Sequence, residues 1–501
     1  MVLIAVCLAA IVLPLSFSGG AVATPAIGRD LGGSAVSLTW ITNAFMLSFG
    51  SLLMAAGALA DVYGRKRLFV GGVFFFVLTS FALALAPSVF WIDVLRALQG
   101  IASAAALSGG TAAMAQEFEG HARTRAFSML GTSFGIGLAF GPLLAGSLIT
   151  TFGWRAVFLS TALTGLVALI FGALRMRETR DPNAQGLDWP GTITFTATLV
   201  LFTYGVIEAP ELGWSDPFVI ALLAASALML LVFIVVESRV QRPMLDLTLF
   251  RYPRFIGVQM LPIGTCYCYI VLIILLPLRF IGVVGLSEID AGILMIALSL
   301  PMLVVPVIVA SLTRWVSAGV LSGIGFLIAA VGLQWLSRID VSTTGVAVAM
   351  PMLLIGIGAG MPWGLMDGLA ISVVPKERAG MATGIFNTTR VAGEGIALAI
   401  ASAVLAAYAQ SVLGDIIGTR ETAAHIAESA QRLATGDMAR AIATLPGVNP
   451  RDLLSGYGEA FQNLLHIMTV ITVLAAGSVF GFLSRTSSND DAVGTAGQSN
   501  L

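Results

Sequence analysis

The chain has 501 residues, of which 57% are hydrophobic and only 11% charged, with a mean hydropathy of +0.94. Soluble domains carry about 25% charged residues, so this composition excludes a water-soluble fold and leaves a polytopic membrane protein. The formal net charge of −1 says little about partners; what matters is where the 26 basic residues sit, and all but Lys66 and Lys376 are arginines.

Runs free of Asp, Glu, Lys and Arg cover 1–28, 31–60, 68–92, 97–116, 126–154, 156–174 and 189–207. They continue at 217–236, 255–278, 291–313, 315–337, 341–366, 395–414 and 460–484. Each matches or exceeds the length that crosses a bilayer as a helix, roughly 20 apolar residues and as few as about 17. The expectation is an all-α polytopic chain with fourteen transmembrane helices. Met1 begins almost inside the first run, which is too long for a cleaved signal and leaves open a true N-terminus a few residues upstream.

Between the second and third runs lies Gly57-Ala58-Leu59-Ala60-Asp61-Val62-Tyr63-Gly64-Arg65-Lys66-Arg67. It reads as a tight turn at the membrane surface: Gly57 for close helix approach, Asp61 as the one acid, Gly64 for the bend, then three cations. Cations in short loops mark the cytoplasmic side. With this turn inside, the inner loops and tail carry sixteen basic residues and the outer side eight. Both termini are then cytoplasmic, in a multi-pass protein of the inner membrane.

Polar linkers at 175–188 and 237–254 flank a hairpin at 189–236, in which Pro190 suits a helix start. The layout is a six-helix bundle over 1–174, linkers and an inserted two-helix hairpin over 175–254, and a second six-helix bundle over 255–484. Residues 415–459 form a long outer loop whose Ile426, Leu433, Ala441 and Ile442 suggest amphipathic helical pieces of a surface lid. The tail at 485–501 reads as disordered and cytoplasmic.

Few ionisable residues fall within the runs, and an intramembrane ion normally faces a cavity or a partner. Arg96 heads Arg96-Ala97-Leu98-Gln99-Gly100, with Asp93 one turn earlier. It either snorkels and pairs with Asp93 or serves a site. In the fifth run, Gly135-Ile136-Gly137 and Gly141-Pro142 lead to Gly146, where small residues permit close packing and Pro142 a bend. Gly153-Trp154-Arg155 opens the sixth. Near the end, Asn387-Thr388-Thr389-Arg390 precedes Glu394, four residues on and so on one helix face with Arg390, where the two can neutralise each other as a structural ion pair or serve a site. Asp367, after Trp363 and Gly364, has no obvious local cation. Cys266 and Cys268 read as apolar filler, and the scattered His121, His425 and His466 form no metal set.

The 57–67 stretch resembles the loop signature of the major facilitator superfamily. Arg96-x-x-Gln99-Gly100, the Gly137 to Gly146 stretch, Gly153-Trp154-Arg155 and Asn387 to Arg390 resemble motifs of its fourteen-span drug–proton antiporter branch. The resemblance implies the major facilitator fold: two six-helix bundles related by an axis along the membrane normal, plus the hairpin. It implies a cytoplasmic gate at Gly57, Asp61, Gly64, Arg65, Lys66 and Arg67, proton coupling at Arg96, and an exporter motif at Gly137, Gly141, Pro142 and Gly146. Two departures stand out. Ser16 occupies the place of a first-span acid, and Glu394 that of a small residue, so Asp367 and Glu394 become candidates for the coupling role.

The expected function is secondary active export of small amphiphilic compounds, of the multidrug efflux type, by alternating access. Asp93, Gln99, Tyr267, Tyr269, Trp363, Asn387 and Arg390 are candidates to line the substrate cavity. No Gly-Lys-Ser/Thr phosphate loop occurs, so the proton gradient is the energy source, without cofactor, ATP or nucleic acid. The protein acts as a monomer in membrane lipid. Two rivals are a transporter of one metabolite, such as an anion held by Arg96 or Arg390, and a membrane-embedded enzyme or sensor.

Overall fold

The computed structural model describes residues 2–118, 120–180, 188–240, 243, 245, 247–373, 379–417 and 422–483. Among them no residue is in a strand, and fourteen helices are long and apolar enough to cross a membrane. These are α1 (Val2–Leu31), α2 (Ala35–Tyr63), α3 (Arg65–Ala84), α4 (Val89–Glu117), α5 (Gly120–Phe152), α6 (Arg155–Arg175) and α7 (Trp189–Leu212). The rest are α8 (Pro217–Arg239), α9 (Pro253–Val283), α10 (Glu288–Leu312), α11 (Ala318–Leu336), α12 (Val346–Ala370), α13 (Gly384–Ile417) and α14 (Pro450–Leu483). The tail at 485–501, Lys376, Arg378 and residues 181–187 of the first linker lie outside the described residues.

Helix ends follow local chemistry. The Ser34 hydroxyl accepts the Ser37 N–H at 3.1 Å and starts α2, while Asp188 and Asp216 cap α7 and α8 just ahead of a proline. Gly64 alone joins α2 to α3 at φ +114°, a backbone that a residue with a Cβ rarely adopts. Several helices outrun their charge-free windows: α4 begins at Val89, α13 reaches back through Arg390 and Glu394, and α14 begins at Pro450. The ions in question therefore sit inside helices.

In the first half α1 packs on α5 and α6, α2 on α4, and α3 on α4 and α6. In the second half α11 packs on α12 and α14, and α9 on α13 and α14. The halves meet where α5 touches α10 and α2 touches α13. The most apolar window of α9 is 89% buried and that of α8 only 17%, so α9 is a central helix and α8 a peripheral one. Helices α7 and α8 pair, and α7 leans on both α2 and α13, at the seam between the halves.

At the end opposite Gly64 the halves are tied by side chains. Arg29 at the close of α1 bonds Glu288 at the start of α10 at 2.8 Å. The 415–459 segment forms two short helices, Ala423–Ala434 and Met438–Thr444, with Ile426, Leu433 and Ala441 buried. From them Arg432 donates to the Gly33 carbonyl at 2.8 Å, and Arg440 donates to Gly33 and Gly28 at 3.0 and 3.1 Å.

Candidate functional site

Among the described residues, two clusters of polar side chains hold the intramembrane ions that the sequence singles out. The first surrounds Arg96, which is 0% exposed. Gly100, one turn on, lets α4 approach α2 so closely that a Cβ there would collide with Ser48 and Phe45. Arg96 Nε then donates to the Ile41 carbonyl at 2.8 Å, and Nη1 donates to Gln99 Oε1 at 2.7 Å and Ser16 Oγ at 3.1 Å. Gln99 Nε2 donates in turn to Ser80 Oγ at 2.7 Å. The guanidinium carbon lies 4.3 Å from the Phe45 ring centroid, and Gly20 leaves room beside Nη2. Arg96 does not snorkel: neutral oxygens of α1, α2 and α4 hold it in place, and Asp93 forms no ion pair with it within 4.0 Å.

The second cluster lies where the halves meet. In α12, Pro362 lacks an N–H and the helix breaks at Gly364–Leu365, so Asp367 falls in the first turn of the short piece that follows. Arg390 Nη1 reaches Asp367 Oδ1 at 3.4 Å. This corrects two readings. Asp367 does have a cation, supplied by a helix 23 residues further along the chain, and Arg390 pairs with it rather than with Glu394. Glu394 is 6% exposed and makes no hydrogen bond or ion pair among the described residues. The Arg390 guanidinium also faces three aromatic rings at 5.7–5.8 Å: Trp363, Phe386, and Phe134 of α5 in the opposite half. Phe134, Ser80 and Ile41 carry no motif, and nothing in the sequence singles them out.

Other expected site residues are placed as follows. Asp61 pairs with Arg65 at 2.9 Å, and Arg65 also bonds Gln116. Glu178, which sequence reading passed over, accepts the backbone N–H groups of Lys66 and Arg67 at 3.2 and 3.1 Å and so caps α3. Gly57 is not a point of close approach, since a Cβ there would meet nothing within 4 Å. Gly137 and Gly141 do face α1, where a Cβ would strike Ile11 and Ser18, while Gly146 lies against Glu288 of α10. Trp154 Nε1 and Arg155 both donate to Asp30, at 2.9 and 2.7 Å, fastening the α5–α6 turn to α1.

Two cavity candidates are fully buried in this structure. Tyr269 is 0% exposed within a π-helical stretch of α9, and Gln99 is enclosed in the Arg96 network. Tyr267 and Asn387 are half-buried. A groove of about 600 Å³ between α3 and α4, lined by Leu68, Gly71, Phe75, Leu98 and their neighbours, contains none of the cavity candidates. Among the described residues no group of three or more His, Cys, Asp or Glu could hold a metal.

The sequence profile described as Major Facilitator Superfamily matches residues 6–398. Multidrug resistance protein Stp of Mycobacterium tuberculosis is 30% identical over 394 residues, covering 78% of this chain and 73% of that protein. Cephamycin export protein CmcT of Amycolatopsis lactamdurans is 32% identical over 90% of this chain and 87% of its own. Among solved structures, a bacterial homolog of the human lysosomal transporter Spinster, inward-facing and unoccupied, superposes with a TM-score of 0.65. It is 17% identical and covers 97% of this chain and 98% of that one.

Proposed function

This chain belongs to the Major Facilitator Superfamily, and we propose that it is a proton-driven exporter of small amphiphilic compounds. Relatives that share most of its length are named for multidrug resistance or cephamycin export, which supports the direction of transport. One observation carries the mechanism: Arg390 of one half stands against Asp367 and, across the seam, against Phe134 of the other half. Rocking of the halves about such a seam exposes its polar groups to one side and then to the other. A substrate with an apolar ring system finds Trp363, Phe386 and Phe134 there, and its charged or polar end meets the ion pair. In hydrocarbon these ions are costly, so a role in binding or coupling accounts for their presence.

In this reading the protein lies in the cytoplasmic membrane as a monomer, with both termini and the Gly64 turn inside. Asp61 and Arg65 then hold the inner ends of α2 and α4 through Gln116, and the proton gradient is the sole energy source. Everted membrane vesicles test it. Fluorescent amphiphilic cations should accumulate on energisation and leave when an ionophore collapses the pH gradient. Accumulation that ignores the gradient would defeat the proposal. A second reading, an anionic substrate, draws on Arg390 Nε, which is buried without a hydrogen-bond partner. Competition by carboxylate-bearing compounds, lost in Arg390→Gln, would favour it.

A further inference from the structure

Arg96 poses a problem of charge. It is wholly buried, and its bonds run to the neutral oxygens of Ile41, Ser16 and Gln99. Its Nη2 is buried without a partner. One turn toward the start of α4, Asp93 Oδ1 is likewise buried without a partner. Residues three apart lie on one helix face, and Asp93 and Arg96 are each the charged group that acts on the other.

Among the described residues, the helices packed on α4 bring no other charge to this level. On α1, Cys7 lies near the far end, while Arg29 and Asp30 in the last turn are engaged by Glu288 and by Trp154 and Arg155. On α2, Asp61 and Tyr63 lie at the far end, and on α3, Arg65, Lys66 and Arg67 do too. The His121, Arg123 and Arg125 of α5 belong to its first turns, also at that end. The outer-loop Arg432 and Arg440 are held by the Gly33 and Gly28 carbonyls.

We propose that Asp93 is the proton-carrying acid of this transporter and the counter-charge of Arg96, in place of the acid that Ser16 does not supply. The inference rests on the proton-driven reading above. One proton taken from the outer side converts the Asp93 carboxylate to the neutral acid and leaves Arg96 uncompensated. Its release to the inner side restores the counter-charge. Because Arg96 also ties Ser16 of α1 to Ile41 of α2, the change in charge acts on the packing of three helices at once.

Proteoliposomes holding the full chain, with ethidium as probe, test this. Asp93→Asn should slow uptake driven by a pH gradient at least tenfold. Ser16→Asp added to Asp93→Asn places a carboxylate against Nη1 and should restore gradient-driven uptake to within threefold of the parent. Infrared difference spectra on acidification need no substrate, and the parent should show one carboxylic-acid band that Asp93→Asn lacks. Full gradient-driven uptake by Asp93→Asn, failure of the Ser16→Asp rescue, or an unchanged band would each overturn the assignment. A parent protein that exchanges ethidium but ignores the gradient would instead overturn the proton-driven reading itself.

Discussion

Arg390 of α13 bonds Asp367 of α12 at 3.4 Å, while Glu394, one turn further along α13, has no ion partner within 4.0 Å among the described residues. The two acids should therefore respond differently to neutralisation. Removing one partner of a buried pair strands the other, but Asp367 is 43% exposed, and solvent screens the pair. Asp367→Asn should cost about 1 kcal/mol of stability. A double-mutant cycle with Arg390→Met should give a coupling of about 0.5–1 kcal/mol. Glu394→Gln keeps the volume, breaks no bond and relieves a buried charge, so melting should stay level or rise. A larger coupling of Arg390 to Glu394 than to Asp367 would contradict the geometry.

The glycines of the turn motif and of α5 should separate just as clearly. A Cβ at Gly57 meets open space, and Ala is the better helix former by about 1 kcal/mol. Gly57→Ala should leave the melting temperature unchanged or slightly raised. At Gly137 a Cβ would strike the Ile11 backbone carbonyl of α1, so α1 and α5 must part, and overpacking of this kind costs about 1–3 kcal/mol. Thermal unfolding in detergent reads both, and equal effects would refute the packing described.

These contrasts mark what could be read in advance. The helices were legible because hydrocarbon demands uninterrupted apolar length, and the bend at Gly64 because cations followed it. Helix extent was obscured wherever a charge lay inside a span, as at Arg96 and Glu394, since a charge-free window stops at the first ion. Neighbour relations were not legible at all. Nothing in local spacing says that α12 lies beside α13, so the cation of Asp367 is invisible there, and nothing says which face of α2 is crowded, so Gly57 reads as a contact it does not make. Glu178, Ser80 and Phe134 became visible only when distant helices were set side by side.

Glu178 should matter for the α2–α3 turn. Its carboxylate accepts two backbone N–H groups that α3 cannot satisfy internally, and it lies against Gly64. Losing a capping acceptor costs about 1 kcal/mol. Glu178→Ala should lower the melting temperature and raise hydrogen exchange at Lys66 and Arg67, while Glu178→Gln keeps an acceptor oxygen and should lose less. Unchanged exchange at those two amides in Glu178→Ala would show that the cap carries no weight.

The arginines of the 415–459 segment hold the two halves together at the end opposite Gly64. Arg432 and Arg440 both converge on Gly33 at the α1–α2 turn, and Arg440 also takes the Gly28 carbonyl. These are charge-assisted bonds between halves, so they stabilise only the conformation in which that end is closed. Solvent weakens them, since the Arg440 side chain is 37% exposed, and together they are worth about 2 kcal/mol, a factor of roughly 30 in the equilibrium. Replacing both by alanine should move the population toward opening at that end. Spin labels at Ser34 and Ala424, introduced through cysteine, would report a longer mean distance in the double variant. Lysine at both positions retains charge but loses the planar fork, and should fall between. A distance distribution identical to that of the parent in the double alanine variant would mean that these bonds follow closure without holding it.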